Sequence, residues 1–134
     1  MPKILTGERL AIETPLAPQA IGPYSQGIRI GQWLFLSGQI SLDPEKGELC
    51  TGDVAAQTER VMENLGAVLT AAGVDFSQVV KTTLYLVDMG DFAAVNAVYA
   101  RYVQPPYPAR SSIGVAALPR GAKVEIDAVA WLPL

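Results

Sequence analysis

A chain of 134 residues, half of them hydrophobic and 17% charged, can build one domain with a real core and is too short for two ordinary ones. The formal charge of −3 and a pI near 4.8 exclude a general nucleic-acid binder, which needs a net basic footprint. The lack of histidine excludes histidine metal sites, Ser-His-Asp triads and Cys-His dyads, and a single cysteine, Cys50, excludes an internal disulfide.

Residues 1–16 form the start of a proline-punctuated arm, with Pro2, Pro15, Pro18 and Pro23 and a short strand-like "LAIETP", so the arm is extended rather than helical. "GIRIGQWLFLSGQISLDP" gives two short apolar runs about Gly31-Gln32, a hairpin pattern, and "DPEKGELCTG" is a polar loop. Over residues 53–72, Val54, Val61, Leu65, Val68, Leu69 and Ala72 recur at helical spacing, with Gln57, Arg60, Glu63 and Asn64 on other faces. Asp53 suits the N-cap and Gly73 the position after the last turn. "VVKTTLYLVD" reads as a strand. A second helix follows, capped by Asp91, with Phe92, Val95, Val98, Tyr99 and Tyr102 on one face, and Pro105, Pro106 and Pro108 end it. The chain closes on "YPARSSIGVAALPRGAKVEIDAVAW", which reads as a hairpin about Leu118-Pro119-Arg120-Gly121.

The order β-β-α-β-α-β-β, with one further strand from the arm, predicts a single α+β domain over 1–134, a mixed sheet with two helices on one face. No run of about 18 apolar residues and no basic-then-apolar leader occurs, so no membrane partner is expected and the cytoplasm is the expected compartment. The apolar supply is large for so small a chain, which predicts contact between copies.

Alternation along the closing hairpin puts Arg110, Ser112 and Gly114 on one face with Lys123, Glu125 and Asp127, with Arg110 about 7 to 13 Å from Glu125. Two readings stand. The face is solvated, as charged strand faces usually are, or a guanidinium and a carboxylate flank a small ligand and a water. The opposite face, Ser111, Ile113, Val115, Val124, Ile126 and Ala128, is fit for packing under helices. Tyr24 in "IGPYSQG" serves either as an anchor for the arm or as a hydroxyl at a pocket mouth. Ser37 and Gly38 end a strand, either as an ordinary bulge or where a ligand approaches the backbone. Asn96 lies one residue off its helix stripe, a position that usually faces solvent. Cys50, beside Glu48 and Asp53, reads as an incidental loop thiol.

The segments "AIGPYSQG", "LFLSGQI", "VVKTTLYLVDMGDFAAVNAVY" and "YPARSSIGVAALPRGAKVEIDAVA", with the helix between, resemble the reactive intermediate deaminase (RidA, YjgF) family over residues 17–130. The resemblance implies a chorismate-mutase-like protomer in a homotrimer with a central barrel, and sites in the clefts between subunits. It implies hydrolysis of 2-imino acids (2-iminobutanoate, 2-iminopropanoate) to 2-oxo acids and ammonia, with no cofactor and no metal. Carried over by motif, Arg110 grips the substrate carboxylate and Glu125 positions water, while Tyr24, Ser37, Gly38, Asn96 and Ser112 line the pocket. Ser112 stands where many members have cysteine. The competing readings are a non-catalytic binder of 2-oxo or 2-imino acids, then a ribonuclease or translation inhibitor, and last a chorismate mutase.

Overall fold

A computed structural model describes residues 7–133, so the first six residues of the predicted arm and Leu134 lie outside the described residues. Six strands form one sheet: β1 (Leu10–Ile12), β2 (Gly27–Ile30), β3 (Trp33–Gln39), β4 (Val79–Leu86), β5 (Ala109–Gly114) and β6 (Val124–Trp131). Two helices, α1 (Val54–Ala71) and α2 (Phe92–Tyr99), pack on the same face, the mixed α+β layer arrangement expected from their single apolar stripes. The arm supplies β1, which pairs with β2.

The spatial order β1-β2-β3-β6-β4-β5 corrects the sequence reading at its most consequential point. β5 and β6 are not a hairpin. β5 runs parallel to β4, to which α2 joins it, and β6 enters antiparallel between β3 and β4. The Leu118–Gly121 turn does form, with Gly121 N–H donating to Leu118 O at 3.3 Å and Arg120 at φ 60, but it ends a loop rather than reversing a ladder. Burial explains the outcome. Val124, Ile126, Ala128 and Ala130 give β6 an unbroken buried row that belongs at the sheet centre. β5 offers an arginine, two serines and a glycine, has little to hide, and takes the edge.

Two further expectations change. Gln57 and Asn64 are not on an outer face of α1 but buried, at 4% and 0% exposure. Asn64 Nδ2 donates to Ile40 O and Leu42 O at 3.2 and 3.0 Å, and Gln57 Oε1 accepts from Lys123 N at 3.1 Å, so these amides staple the loop after β3 and the start of β6 to the helix. Asp91 makes no capping bond. Asp88 does so one turn earlier, accepting from Gly90 N at 2.8 Å, whereas Asp53 caps α1 as expected, accepting from Ala56 N at 2.9 Å.

Under the helices lies the core, built on Leu34, Leu36, Leu84, Leu86, Val124 and Ile126 from the sheet and Val61, Met62, Leu65, Val68 and Leu69 from α1. Among the described residues the other sheet face carries no helix. It exposes Trp33 at 44%, Phe35 at 45%, Ile113 at 43% and Trp131 at 40%, with the Trp33 and Trp131 rings packed edge-on at 4.8 Å.

Candidate active site

Register decides which side chains share a face, because residues opposite each other across a ladder point the same way. Thr82 lies opposite both Arg110 and Ala128, and Tyr85 lies opposite both Ile113 and Glu125. Arg110, Ser112 and Gly114 therefore stand on the helix-covered face with Ile126 and Ala128. Glu125 and Asp127 stand on the open face with Ser111 and Ile113. Within one protomer the proposed guanidinium and carboxylate are on opposite sides of the sheet, with β4 between their strands, and the single-face arrangement drawn from the hairpin does not exist.

Each nevertheless sits in a cleft of its own. Arg110 lies along the rim of α2, where its guanidinium carbon is 5.4 Å from the centre of the Phe92 ring and 5.2 Å from that of Tyr99. Both rings present negative faces to the cation. Its Nη1 donates to Asn96 Oδ1 at 2.6 Å, and the Tyr99 hydroxyl is fixed in turn by Thr82 at 2.8 Å. Phe92, Asn96 and Tyr99 recur at i, i+4 and i+7, so one stripe of α2 forms the cradle. Among the described residues, the two ion pairs are Arg60–Glu63 and Arg101–Glu59, and Arg110 is in neither. A cleft of about 500 Å³ opens beside it, walled by Tyr107, Pro108 and Val103. Ser112 is half-buried on the same strand face, two residues on, and does not line that cleft.

The second cleft, of about 330 Å³, holds Glu125 with Tyr24, Gly38, Gln39, Ile21 and Arg120. A bulge in β3 builds it: Leu36 pairs with Ala128 and Gln39 with Ile126, so Ser37 and Gly38 share the space of one residue. A β-carbon on Gly38 would lie 2.9 Å from the Glu125 carboxyl carbon and closer still to its Oε2, so only glycine lets that carboxylate lie along the backbone. Burial pushes the Glu125 carboxyl above the ordinary carboxylate range, and the charge of Asp127 adds to the effect. Asp127 accepts a bond from the Tyr85 hydroxyl at 3.0 Å, and burial and then Asp127 raise the Tyr85 pKa. The Tyr24 ring is exposed, and its hydroxyl accepts from Ile21 N at 3.4 Å across the rim. Ser37 faces away, donating to Ser25 O at 2.5 Å, and so fixes the loop that carries Tyr24 rather than lining the cleft.

The structure thus gathers the predicted residues into two sets, Arg110 with Asn96, and Glu125 with Gly38 and Tyr24. Sequence reasoning missed the aromatic walls Phe92 and Tyr99, although their spacing about Asn96 was readable. It also missed Gln26, a buried amide whose side chain binds Thr14 N, Thr14 O and Pro18 O at 2.7, 3.0 and 2.8 Å and so lays the arm along the second cleft. Among the described residues no group of three or more histidine, cysteine or carboxylate side chains is placed to hold a metal ion, and no helix is long and apolar enough to cross a membrane.

Comparison with known proteins gives a match of residues 14–132 to the family described as Endoribonuclease L-PSP. Protein DfrA of Myxococcus xanthus is 60% identical over 124 residues, covering 91% of this chain and 95% of that protein. The 2-iminobutanoate/2-iminopropanoate deaminase of Mus musculus is 50% identical over 122 residues, covering 91% of this chain and 90% of its own. Among solved structures, E. coli TdcF with bound serine superposes with a TM-score of 0.88 at 42% identity, covering 92% of this chain and 99% of that one.

Proposed function

The chain belongs to the Endoribonuclease L-PSP family, the YjgF or reactive intermediate deaminase group, and from that premise we propose that it hydrolyses 2-imino acids such as 2-iminobutanoate and 2-iminopropanoate to 2-oxo acids and ammonia. The observation that carries the reading is Arg110, a guanidinium without a carboxylate partner among the described residues, clasped by two rings and an amide at the mouth of a cleft. Such a group binds a small carboxylate, and a charged hydrogen bond of this kind contributes about 1.5 to 3 kcal/mol.

The site is completed by a second protomer. One copy brings Arg110 and Asn96, and its neighbour brings Glu125, Gly38 and Tyr24, because a single chain keeps the two sets on opposite faces. A homotrimer is the assembly proposed. The open sheet face, with Trp33, Phe35, Ile113 and Trp131 uncovered, is the surface it would bury around a central barrel.

The chemistry needs no nucleophile from the protein, since a protonated imine carbon is already electrophilic. With the carboxylate on Arg110, a water attacks that carbon. A C–O bond forms, the C=N π pair moves to nitrogen, and Glu125 takes one water proton. Glu125 passes the proton to nitrogen. The C–N bond then breaks as the carbinolamine hydroxyl yields its proton to Glu125, releasing ammonia and the 2-oxo acid.

The test is ammonia release from freshly generated 2-iminopropanoate. Arg110→Ala should abolish nearly all acceleration over buffer, and Glu125→Gln should remove most of it. Binding of the 2-oxo acid without turnover would leave a metabolite binder instead. RNA cleavage by nuclease-free protein, lost in Arg110→Ala, would replace the deaminase reading.

A further inference from the structure

Three elements meet behind the guanidinium of Arg110. Thr82 of β4 lies directly opposite Arg110 across the parallel β4–β5 ladder, so the two side chains leave the sheet on the same face. Tyr99 of α2 touches both. Its hydroxyl is 2.8 Å from the Thr82 hydroxyl, and its ring centre is 5.2 Å from the Arg110 guanidinium carbon. Thr82 and Tyr99 are buried, at 2% and 4% exposure, while Arg110 reaches the surface. Packing alone does not call for this hydroxyl pair. Valine has nearly the shape of threonine and phenylalanine that of tyrosine, and two buried hydroxyls bonded to each other add little net stability over their apolar replacements.

What the bond does is tie the phenol at its tip. A phenolic O–H lies in the plane of its ring, so a fixed partner sets both where the ring sits and which way its face is turned. A cation is sensitive to that direction, because an aromatic ring is negative on its face and positive at its edge. We infer that Thr82 and Tyr99 are positioning residues for the substrate carboxylate: the hydroxyl bond sets the Tyr99 ring, and the ring sets the Arg110 guanidinium. Phe92, at 5.4 Å, and Asn96 Oδ1, 2.6 Å from Nη1, hold the cation from its other contacts, and its remaining N–H donors are then pre-aimed at an anion. The inference rests on the deaminase reading for the identity of that anion. The carboxylate takes no part in the bonds that change, so the grip is alike on the imine and on the carbinolamine. Its loss belongs in affinity rather than in turnover.

The experiment compares wild type with Thr82→Val, Tyr99→Phe, the double variant and Thr82→Ser, by ammonia release, by calorimetric titration with 2-oxobutanoate and by thermal midpoint. Thr82→Val and Tyr99→Phe should each raise KM and the 2-oxobutanoate Kd about 3- to 10-fold, with kcat within about twofold. The double variant should be no weaker in affinity than the worse single, because one bond is lost in all three, and its midpoint should return toward wild type, because no hydroxyl is left unbonded. Thr82→Ser keeps the hydroxyl and should restore most of the affinity. Affinity within about twofold of wild type in the double variant would reduce the pair to a packing contact and overturn the inference. So would single-variant effects that multiply in the double variant, or a Thr82→Ser affinity as poor as that of Thr82→Val. In those cases wild-type turnover leaves the deaminase reading standing. Wild type that binds 2-oxobutanoate without turnover overturns that reading, and the variant Kd values still decide the grip. Wild type that does neither overturns both.

Discussion

Glu125 lies half-buried against Gly38, and Asp127 shares its strand face two residues away, so burial first and the neighbouring charge second push its carboxyl above the ordinary carboxylate range. The groups around that carboxyl are Asp127 on its own strand, Tyr85 on β4, Arg120 from the turn and Tyr24 from the loop after the arm. The proposed reaction needs Glu125 ionised when water attacks, so under that proposal a raised pKa moves the acid limb of kcat/KM upward. Asp127→Asn removes one cause of the shift and keeps an oxygen for the Tyr85 hydroxyl. Removing a negative neighbour favours the carboxylate, the Glu125 pKa falls, and activity should persist to lower pH than in the wild type. The larger cause, burial, is untouched, so the shift is partial. A pH profile of ammonia release reads it directly, and an unmoved acid limb would mean that Asp127 does not act on Glu125.

At the scale of elements, what the sequence revealed and what it hid divide along a physical line. Helix α1 was legible because its N-cap, its stripe and Gly73 at φ 83 are all local signals. The strands were legible as strands. Their pairing was not, since nothing local to β5 states that its partner lies across α2, and the Pro-Gly turn before β6 mimics a hairpin. The proposed site residues come from motif alone, while their division between two sheet faces depends on that non-local pairing. Gln57 and Asn64 looked like surface polar residues because a helix stripe records apolar positions and not buried amides with backbone partners. Asn64 therefore carries a prediction. Asn64→Leu leaves Ile40 O and Leu42 O without their donor and should cost about 2 to 4 kcal/mol, seen as a lower urea midpoint at fixed protein concentration. Ile40 and Leu42 also line the Glu125 cleft, so the loosened loop should lower kcat together with stability.

For the whole molecule, the strongest consequence comes from the opposed faces. A sheet with β4 between Arg110 and Glu125 cannot bring both to one small substrate within one chain. If each site is shared between neighbours, two inactive variants can rescue each other. An Arg110→Ala chain still carries a working Glu125 half, and a Glu125→Gln chain still carries a working Arg110 half. Co-expressed in equal amounts they assemble at random. A site is intact when its Arg110 side comes from the second variant and its Glu125 side from the first, an event of probability about one quarter for a cyclic assembly. Ammonia release by the mixed protein should then reach about a quarter of the wild-type rate, while each variant alone stays near background. Differently tagged chains purified in succession remove the unmixed assemblies, and since every mixed trimer of the proposed kind holds one intact site of three, the expected rate then rises to about a third of wild type. Were both halves drawn from one chain, every site in the mixture would lack either the guanidinium or the carboxylate, and activity would remain at background however the copies were combined.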